Sequence, residues 1–353
     1  MIKVKRNLEK LIRIKNTDKR IGSIRLDKNE RIVGFKARDF ENLLNTLNPD
    51  LLASYPELDS LCEKIAAWVK IRPGNLMLSN GSDGAIKSVF EVFVRRNDDV
   101  VCLDPSYAMY TVYAKIFSAR YVAVHYDNNL ELSAQKIFRH VTPKTRLVIL
   151  ANPNSPTGTI IPHQDLLRFI ERMARRDVLV LVDEAYYPFY PNTVLPYIDQ
   201  YKNLMVTRTF SKACGLACLR LGFVAANETL IGYLKKVRPM YETNGVAAAF
   251  ASYIIDHRSL IEGYVNDTLA GRDFLTNGLK EMGFKTFKSY ANFVVARVGS
   301  SDKADDIADH MAKKNILIKG SYRGTPLEDC IRITVGPIPI MSKVLDALAE
   351  IVM

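Results

Sequence analysis

Between about residues 60 and 225 the chain alternates two patterns. Stretches with apolar residues every three or four positions are separated by short, unbroken apolar runs. The first pattern puts apolar side chains on one helix face, and the second suits strands buried on both faces. On this basis Ser60 to Lys70 is a helix and Leu76 to Ser79 a strand, then Asp83 to Val94 a helix and Val100 to Leu103 a strand. Tyr107 to Phe117 is the next helix, followed by a strand at Arg120 to Val124. A weaker helix closes over Ile137 to His140 before a strand at Leu147 to Leu150. A helix at Asp165 to Ala174 precedes strands at Val178 to Val182 and Leu204 to Thr207. The alternation predicts an α/β fold, a largely parallel sheet covered by helices on both faces.

Near Lys235 to Glu242 the pattern changes. A long helical region, Val246 to Glu281, is followed by a strand at Phe293 to Val298 and a helix at Ala304 to Lys314. Strands at Ile316 to Lys319 and Ile331 to Val335 and a last helix at Ser342 to Ile351 complete a smaller α+β unit. The expected division is a large domain over residues 30–240 and a small domain built from residues 241–353 with an N-terminal arm, residues 1–29. No internal repeat or Gly/Ser-rich hinge interrupts the chain.

Length and composition agree with this picture. A chain of 353 residues has room for two domains, and 48% apolar with 25% charged residues is the balance of a soluble globular protein. No run of 18 apolar residues offers a membrane span, and the basic start, Met1 to Arg6, lacks the apolar core of a secretory signal. Five scattered cysteines without a CxxC pair read as reduced thiols of a cytoplasmic protein. Cys214 and Cys218, four apart, are read as helix packing rather than a redox pair. The formal charge of 49 − 38 = +11 raises nucleic acid as a partner, but the basic residues are spread out and no nucleic-acid motif accompanies them. Attraction of phosphorylated or carboxylated small molecules explains the sign as well, and no nucleic-acid or membrane partner is expected. The five histidines show no metal-ligand spacing, so no metal is expected either.

Candidate chemistry gathers where a parallel sheet binds ligands, outside the carboxyl ends of its strands. Asn80 to Gly84 is a glycine-rich turn opening a helix. It suits either a phosphate on the first backbone N–H groups or a plain Asp83 cap. Asp104-Pro105-Ser106-Tyr107 places a ring at the same edge, for stacking on a heterocycle or for the core. Asn152 to Gly158 is a rigid polar loop. Asp183 ends an all-apolar strand and, if ionised, needs a partner. That partner is either a protonated pyridine nitrogen or an ordinary cap or salt bridge. Lys212 follows the next strand among Phe210, Ala213, Cys214, Leu216 and Ala217, an apolar setting that favours a neutral, nucleophilic amine. Arg220, eight residues on, suits a phosphate. A lysine, a strand-end acid, Tyr186 three residues past that acid and an arginine fit together as a pocket for pyridoxal 5'-phosphate.

The chain resembles the fold-type I pyridoxal phosphate enzymes, specifically the histidinol-phosphate aminotransferase group of the class I/II aminotransferases. The resemblance runs from about Leu26 to the C-terminus. It rests on Ser54-Tyr55-Pro56, Gly81-Ser82-Asp83, Pro105 to Tyr110, Pro153 to Gly158, Asp183 to Tyr186, Ser211-Lys212, Leu219 to Phe223 and Cys330 to Gly336. It implies Lys212 as the Schiff-base lysine and proton shuttle, Asp183 on the pyridine nitrogen, Tyr186 on the phenolic oxygen and Tyr107 stacked on the ring. It further implies the backbone of Ser82 and Asp83, together with Ser211 and Arg220, on the phosphate. Tyr55 would reach the phosphate of the other subunit, so a homodimer with shared active sites is expected. Arg332 would take the substrate's carboxylate or phosphate.

The departures concentrate on the substrate side. Ser155 stands where the group has Asn, with Asn152 or Asn154 as alternatives for that contact. Gly84 stands in place of a Glu, and Asn29-Glu30-Arg31-Ile32 in place of Asn-Glu-Asn-Pro. The tyrosine-bearing arm has no clear match. A second family arginine is Lys319 here, with Arg323 nearby. Asn29, Lys319, Arg323 and Arg332 are therefore the candidate substrate residues. The resemblance implies a ping-pong aminotransferase moving an amino group from an amino acid, glutamate foremost, to a small phosphorylated ketone or aldehyde. Two alternatives are a decarboxylase of a phosphorylated amino acid and a non-catalytic regulator that binds the cofactor.

Overall fold

The structure is a computed structural model that describes residue 4, residues 6–9, residue 11 and residues 20–352. Residues 1–3, 5, 10 and 12–19 of the expected N-terminal arm, which include most of the basic start, lie outside the described residues. The strands in chain order are β1 (Ile24–Arg25), β2 (Leu76–Asn80), β3 (Asp99–Asp104), β4 (Arg120–His125), β5 (Thr145–Ala151) and β6 (Leu179–Asp183). They continue with β7 (Leu204–Thr209), β8 (Leu221–Ala226), β9 (Lys285–Phe287), β10 (Phe293–Arg297), β11 (Ile316–Leu317) and β12 (Cys330–Thr334).

Seven strands form one sheet in the order β2-β8-β7-β6-β5-β3-β4. Only β8 runs against the others, antiparallel to β2 and β7, while β3/β4, β3/β5, β5/β6 and β6/β7 are parallel. Both faces are packed. Val101, Leu103, Val148, Leu150, Val180 and Val182 join one apolar cluster, and their neighbours Val100, Cys102, Leu147, Ile149 and Leu181 join the other. That period of two, apolar on both sides, is why these strands read as unbroken apolar runs.

A smaller assembly follows. β9, β10 and β12 make an antiparallel sheet in the order β12-β10-β9, and β1 pairs in parallel with β11. A third apolar cluster fills it, from Leu26 through Leu275, Val294 and Ile333 to Leu348. The chain ahead of the large sheet thus returns to the small assembly, where Thr334 N–H also bonds the Leu26 carbonyl at 2.9 Å.

Several elements differ from the sequence expectation. The helical region Val246 to Glu281 is two helices, Gly245–Asp256 and Ser259–Glu281, because His257 leaves the helical region at φ −113°, ψ 56°. The last helix starts earlier, at Ile338. The strand expected at Ile316 to Lys319 stops at Leu317, and Lys319 makes only an isolated bridge to Arg332. β8 has no counterpart among the expected strands, yet it sits between β2 and β7. Among the described residues no helix is long and apolar enough to cross a membrane.

Candidate active site

A cavity of about 700 Å³ opens at the carboxyl ends of the parallel strands. It brings together Ser82, Asp83, Tyr107, Ser155, Asp183, Tyr186, Ser211, Lys212 and Arg220, residues spread over nearly 140 positions of sequence. The topology explains the meeting. β6 and β7 are adjacent and parallel, so Asp183 at the end of one and the loop after Thr209 of the other share an edge.

Asp183 is buried at the floor. Tyr110 donates its hydroxyl to Oδ2 at 2.7 Å and Thr207 donates to Oδ1 at 3.0 Å. Burial pushes the carboxyl above its usual range, and the two hydroxyls pull the other way. Neither partner is a cation, so the site still lacks the positive charge that a buried carboxylate calls for. Tyr107 is 40% exposed and stands edge-on to Tyr110, with ring centroids 5.5 Å apart. Its hydroxyl donates to Asp83 Oδ1 at 3.2 Å. It is a cavity wall, not core.

Lys212 reaches Nζ to the Lys28 carbonyl at 3.0 Å. Burial lowers its pKa to about 8. Arg332 and Arg220 push in the same direction, against Glu30 and Asp183. The supporting loop is apolar as expected, with Phe210, Ala213, Cys214 and Leu216 buried. Tyr186 lies beside it, its ring centroid 5.9 Å from Nζ. Asn29 Nδ2 donates to the Tyr186 hydroxyl oxygen at 2.8 Å and so sets where that oxygen points.

The other end of the cavity is a set of donors. The helix Gly81–Phe93 begins there without a side-chain cap from Asn80, and Asp83 faces Tyr107, so the expected plain Asp cap is absent. Its first-turn N–H groups are the ones a helix cannot satisfy internally. Ser211 Oγ accepts from Arg220 Nη1 at 3.1 Å and from Thr209 Oγ1 at 3.0 Å. Two glycines permit this crowding. A β-carbon on Gly81 (φ +67°) would lie 2.6 Å from Arg220 Nη2, and one on Gly222 would lie 2.4 Å from the Ser82 nitrogen.

Comparison with known proteins decides the family. Residues 36–348 match the family model for aminotransferase class I and II. The chain belongs to the class I and II aminotransferase family.

Among its relatives, the histidinol-phosphate aminotransferase of Clostridium novyi (strain NT) is 33% identical over 317 residues, 89% of this chain and 87% of that one. The enzyme of the same name from Caldanaerobacter subterraneus subsp. tengcongensis is 36% identical over 301 residues, 84% and 83% of the two chains. A putative histidinol-phosphate aminotransferase from Erwinia carotovora atroseptica superposes with a TM-score of 0.84 at 25% identity, covering 93% of this chain and 95% of that one. The Sinorhizobium meliloti histidinol-phosphate aminotransferase, solved in complex with pyridoxal-5'-phosphate, gives 0.82 at 25% identity, covering 93% and 90%. This is a fold-type I aminotransferase that depends on pyridoxal 5'-phosphate.

The cavity of this aminotransferase fits that cofactor. The buried acid without a cation suits a protonated ring nitrogen, and the cluster of amides, hydroxyls and a guanidinium suits a phosphate. Other candidate residues lie elsewhere. Asn154 is buried within its own loop, donating to the Pro105 carbonyl at 3.0 Å and Thr157 Oγ1 at 2.8 Å and accepting from Ser106 at 2.6 Å. Asn29 is likewise spent on Tyr186 and Thr334. Arg332 stands behind the wall, Nη1 3.4 Å from Ser155 Oγ and Nη2 2.6 Å from the Asp27 carbonyl. Lys319 is exposed, and Arg323 pairs with Asp302 and Asp305 at 3.0 and 2.8 Å. Neither lines the cavity. Tyr55 is exposed and stacks on Tyr241, centroids 4.0 Å apart.

Sequence reading missed Tyr110, Thr207, Arg20, Lys28 and Glu30. Tyr110 lay within the Pro105 to Tyr110 motif but carried no assigned role. Arg20 had no local pattern to mark it.

Proposed function

We propose that this aminotransferase moves the amino group of an amino acid, glutamate foremost, to a small phosphorylated ketone or aldehyde, a reading supported by relatives named histidinol-phosphate aminotransferase. The observation that carries the reading is Lys212, with its lowered pKa, held between the buried acid Asp183 and the donor cluster around Arg220.

Asp183 would hold the cofactor's ring nitrogen, Tyr186 its phenolic oxygen and Tyr107 its ring face. The backbone N–H groups of Ser82 and Asp83, with the side chains of Ser211 and Arg220, would hold its phosphate. When bound, the cofactor supplies an electron sink that makes the substrate's Cα–H acidic. Lys212 takes that proton and returns it. A pKa near 8 leaves part of the amine neutral at physiological pH and its conjugate acid able to donate. The Lys28 carbonyl orients the amine, and Asn29 fixes the Tyr186 hydroxyl. Asn154 and Asn29 act by bracing these groups, and Arg332 takes the substrate's carboxylate across Ser155.

A homodimer with shared sites goes with this reading. Tyr55, Leu52, Met240 and Tyr241 are exposed apolar residues, and the Tyr55–Tyr241 stack offers a surface for a second copy. Tyr55 would then serve the phosphate end of the neighbouring site. All five cysteines are free thiols, which suits a cytoplasmic setting. The large domain is taken as residues 30–240 and the small one as residues 1–29 with 241–353. The packing of Leu26 in the third cluster supports this, although Ala247 to Val265 join the large core.

The test is to add glutamate to the holoenzyme and follow the bound cofactor's absorbance. Conversion to the amino form, reversed by a phosphorylated ketone from a panel that includes imidazole-acetol phosphate, is expected. An unchanged spectrum, with CO₂ released from a phosphorylated amino acid, would replace transamination with decarboxylation. The structural likeness to the L-threonine-O-3-phosphate decarboxylase of Porphyromonas gingivalis, TM-score 0.75 at 21% identity, is one of fold alone.

A further inference from the structure

Three cavity residues come from the segment ahead of the large sheet: Arg20, Lys28 and Glu30. Arg20 is largely buried, its side chain 17% exposed. Its Nη2 lies 2.6 Å from Asp27 Oδ1 and 2.9 Å from Glu30 Oε1. Its Nε–H is buried and has no partner among the described residues. Glu30 Oε1 is shared, because Arg25 Nε also reaches it at 2.7 Å. Asp27 is shared too, its side chain on Arg20 and its carbonyl on Arg332 Nη2 at 2.6 Å. Arg332 itself is 8% exposed, and its Nε–H is also buried without a partner among the described residues.

Two buried guanidiniums anchored on one residue therefore each keep an unused charged donor. Buried donors left unmet are costly, and a charged N–H finds its best acceptor in an anionic oxygen. The local balance points the same way: among the described residues Arg20 and Arg25 share the carboxylates Asp27 and Glu30, while Arg332 meets the neutral Asp27 carbonyl and Ser155 hydroxyl. The cations expected for this task from sequence are not available in the cavity. Neither Lys319 nor Arg323 lines the cavity, whereas Arg20 does. Arg220 belongs to the donor cluster at Ser211.

We propose that Arg20 grips the phosphate of the amino acceptor, with Arg332 beside it across Asp27. This rests on the phosphorylated acceptor of the proposed function and names the residue that selects it. Glu30 makes the exchange easy. When the acceptor's phosphate takes the Arg20 donors, Glu30 keeps Arg25 and is not left as a bare buried charge. No covalent step is involved. The role is to favour the phosphorylated substrate of the pair, because a phosphate offers more charge and more acceptor oxygens than the side-chain carboxylate of glutamate.

The two half-reactions separate this role from a structural one. In Arg20→Gln holoenzyme, the spectral half-reaction with glutamate should fall less than the return half-reaction, because glutamate offers that end of the cavity a single carboxylate charge and no phosphate. The return half-reaction with a phosphorylated ketone should show KM raised about tenfold to a hundredfold, the worth of one or two charged hydrogen bonds, with kcat little changed. Inorganic phosphate, used as a competitor of the return reaction, should lose affinity in parallel. Arg20→Lys, which keeps the charge but not the fork, should fall between, and serves if the Gln variant does not fold. Unchanged acceptor KM and phosphate inhibition in both variants would overturn the assignment of Arg20 alone. Equal losses with the unphosphorylated ketone would overturn it as well. A wild-type enzyme that takes no phosphorylated acceptor would overturn the proposed function and this assignment with it.

Discussion

Tyr110 donates a hydrogen bond from its hydroxyl to Oδ2 of Asp183 at 2.7 Å, joining a helix that follows β3 to the end of β6. Thr207 holds the other carboxylate oxygen, so the acid has one defined direction left for a ligand. Burial raises the Asp183 pKa, and the Tyr110 hydroxyl is the largest force holding it down. Tyr110→Phe keeps the ring and removes that force. The carboxyl should become harder to ionise and a poorer partner for the cofactor's ring nitrogen. A fall of about tenfold or more in the glutamate half-reaction is expected, the worth of a hydrogen bond to a charged group. Stopped-flow absorbance checks it, and a rate equal to the wild type would remove Tyr110 from the site.

Lys212 makes the apoenzyme's stability depend on pH in a defined direction. Its pKa falls from the ordinary 10.5 to about 8 on folding. Between those values the unfolded chain holds a proton that the folded chain has released, so stability rises with pH across the window. Below pH 8 both states are protonated and the whole penalty remains. Lys212→Met removes it, and its apoenzyme should be more stable than the wild type at pH 7 by about 1–2 kcal/mol, after allowing for partial exposure of the side chain. The advantage should shrink towards pH 10. Urea denaturation of both apoenzymes at pH 7, 8.5 and 10 measures it, and a variant less stable at every pH would contradict it. With glutamate the variant should show no turnover.

Much of this site was legible in sequence for physical reasons, and the missing parts were illegible for physical reasons too. Strands buried on both faces write themselves as apolar runs, so β5, β6 and β7 and the residues that end them could be read directly. β8 could not, because Leu221 to Ala226 is small and glycine-containing and follows Arg220 in a left-handed conformation. Tyr110 and Asp183 are 73 residues apart and meet only through the sheet order. Asn154 carries the amide expected of a cofactor contact, yet its own loop consumes that amide. Arg323 carries the expected charge, yet two aspartates on a neighbouring helix hold it. Residue type shows what a side chain can do, and its partners in space decide whether it is free to do it.

The donor cluster depends on the absence of one β-carbon. At Gly222 it would meet backbone, Ser82 N at 2.4 Å and Gly81 C at 2.5 Å, so Gly222→Ala must push the helix Gly81–Phe93 away from β8. A loss of about 1–3 kcal/mol, the range for overpacking, is expected, along with at least about tenfold weaker retention of the cofactor. Gly84→Ala is the control on the same helix. Its β-carbon would press on the tip of the Glu242 side chain, at 3.0 Å, and meet Asn80 and Ser79 at ordinary contact distances of 3.5 and 3.7 Å, so the loss should stay under about 1 kcal/mol. Denaturation of the apoenzymes and absorbance titration with pyridoxal 5'-phosphate rank the two. Equal effects would mean that the helix terminus is not held by this contact.

Glu184, next to Asp183, anchors the same strand ends through a buried ion pair. Arg208 on β7 donates to Glu184 Oε2 from Nε at 3.0 Å and Nη2 at 2.8 Å. Thr193 and the Val194 N–H donate to the same carboxylate, and Arg208 stacks on Tyr187 at 3.6 Å. Both partners are under 10% exposed. Arg208→Met would leave a buried carboxylate with only neutral donors and should cost about 3–5 kcal/mol. The double variant Glu184→Met with Arg208→Met removes both charges and should recover part of that loss, because the large penalty belongs to the unpaired charge and not to the missing pair. Urea denaturation of the two variants decides it. A double variant less stable than Arg208→Met would show instead that the Thr193 and Val194 contacts to Glu184 hold the strand ends by themselves.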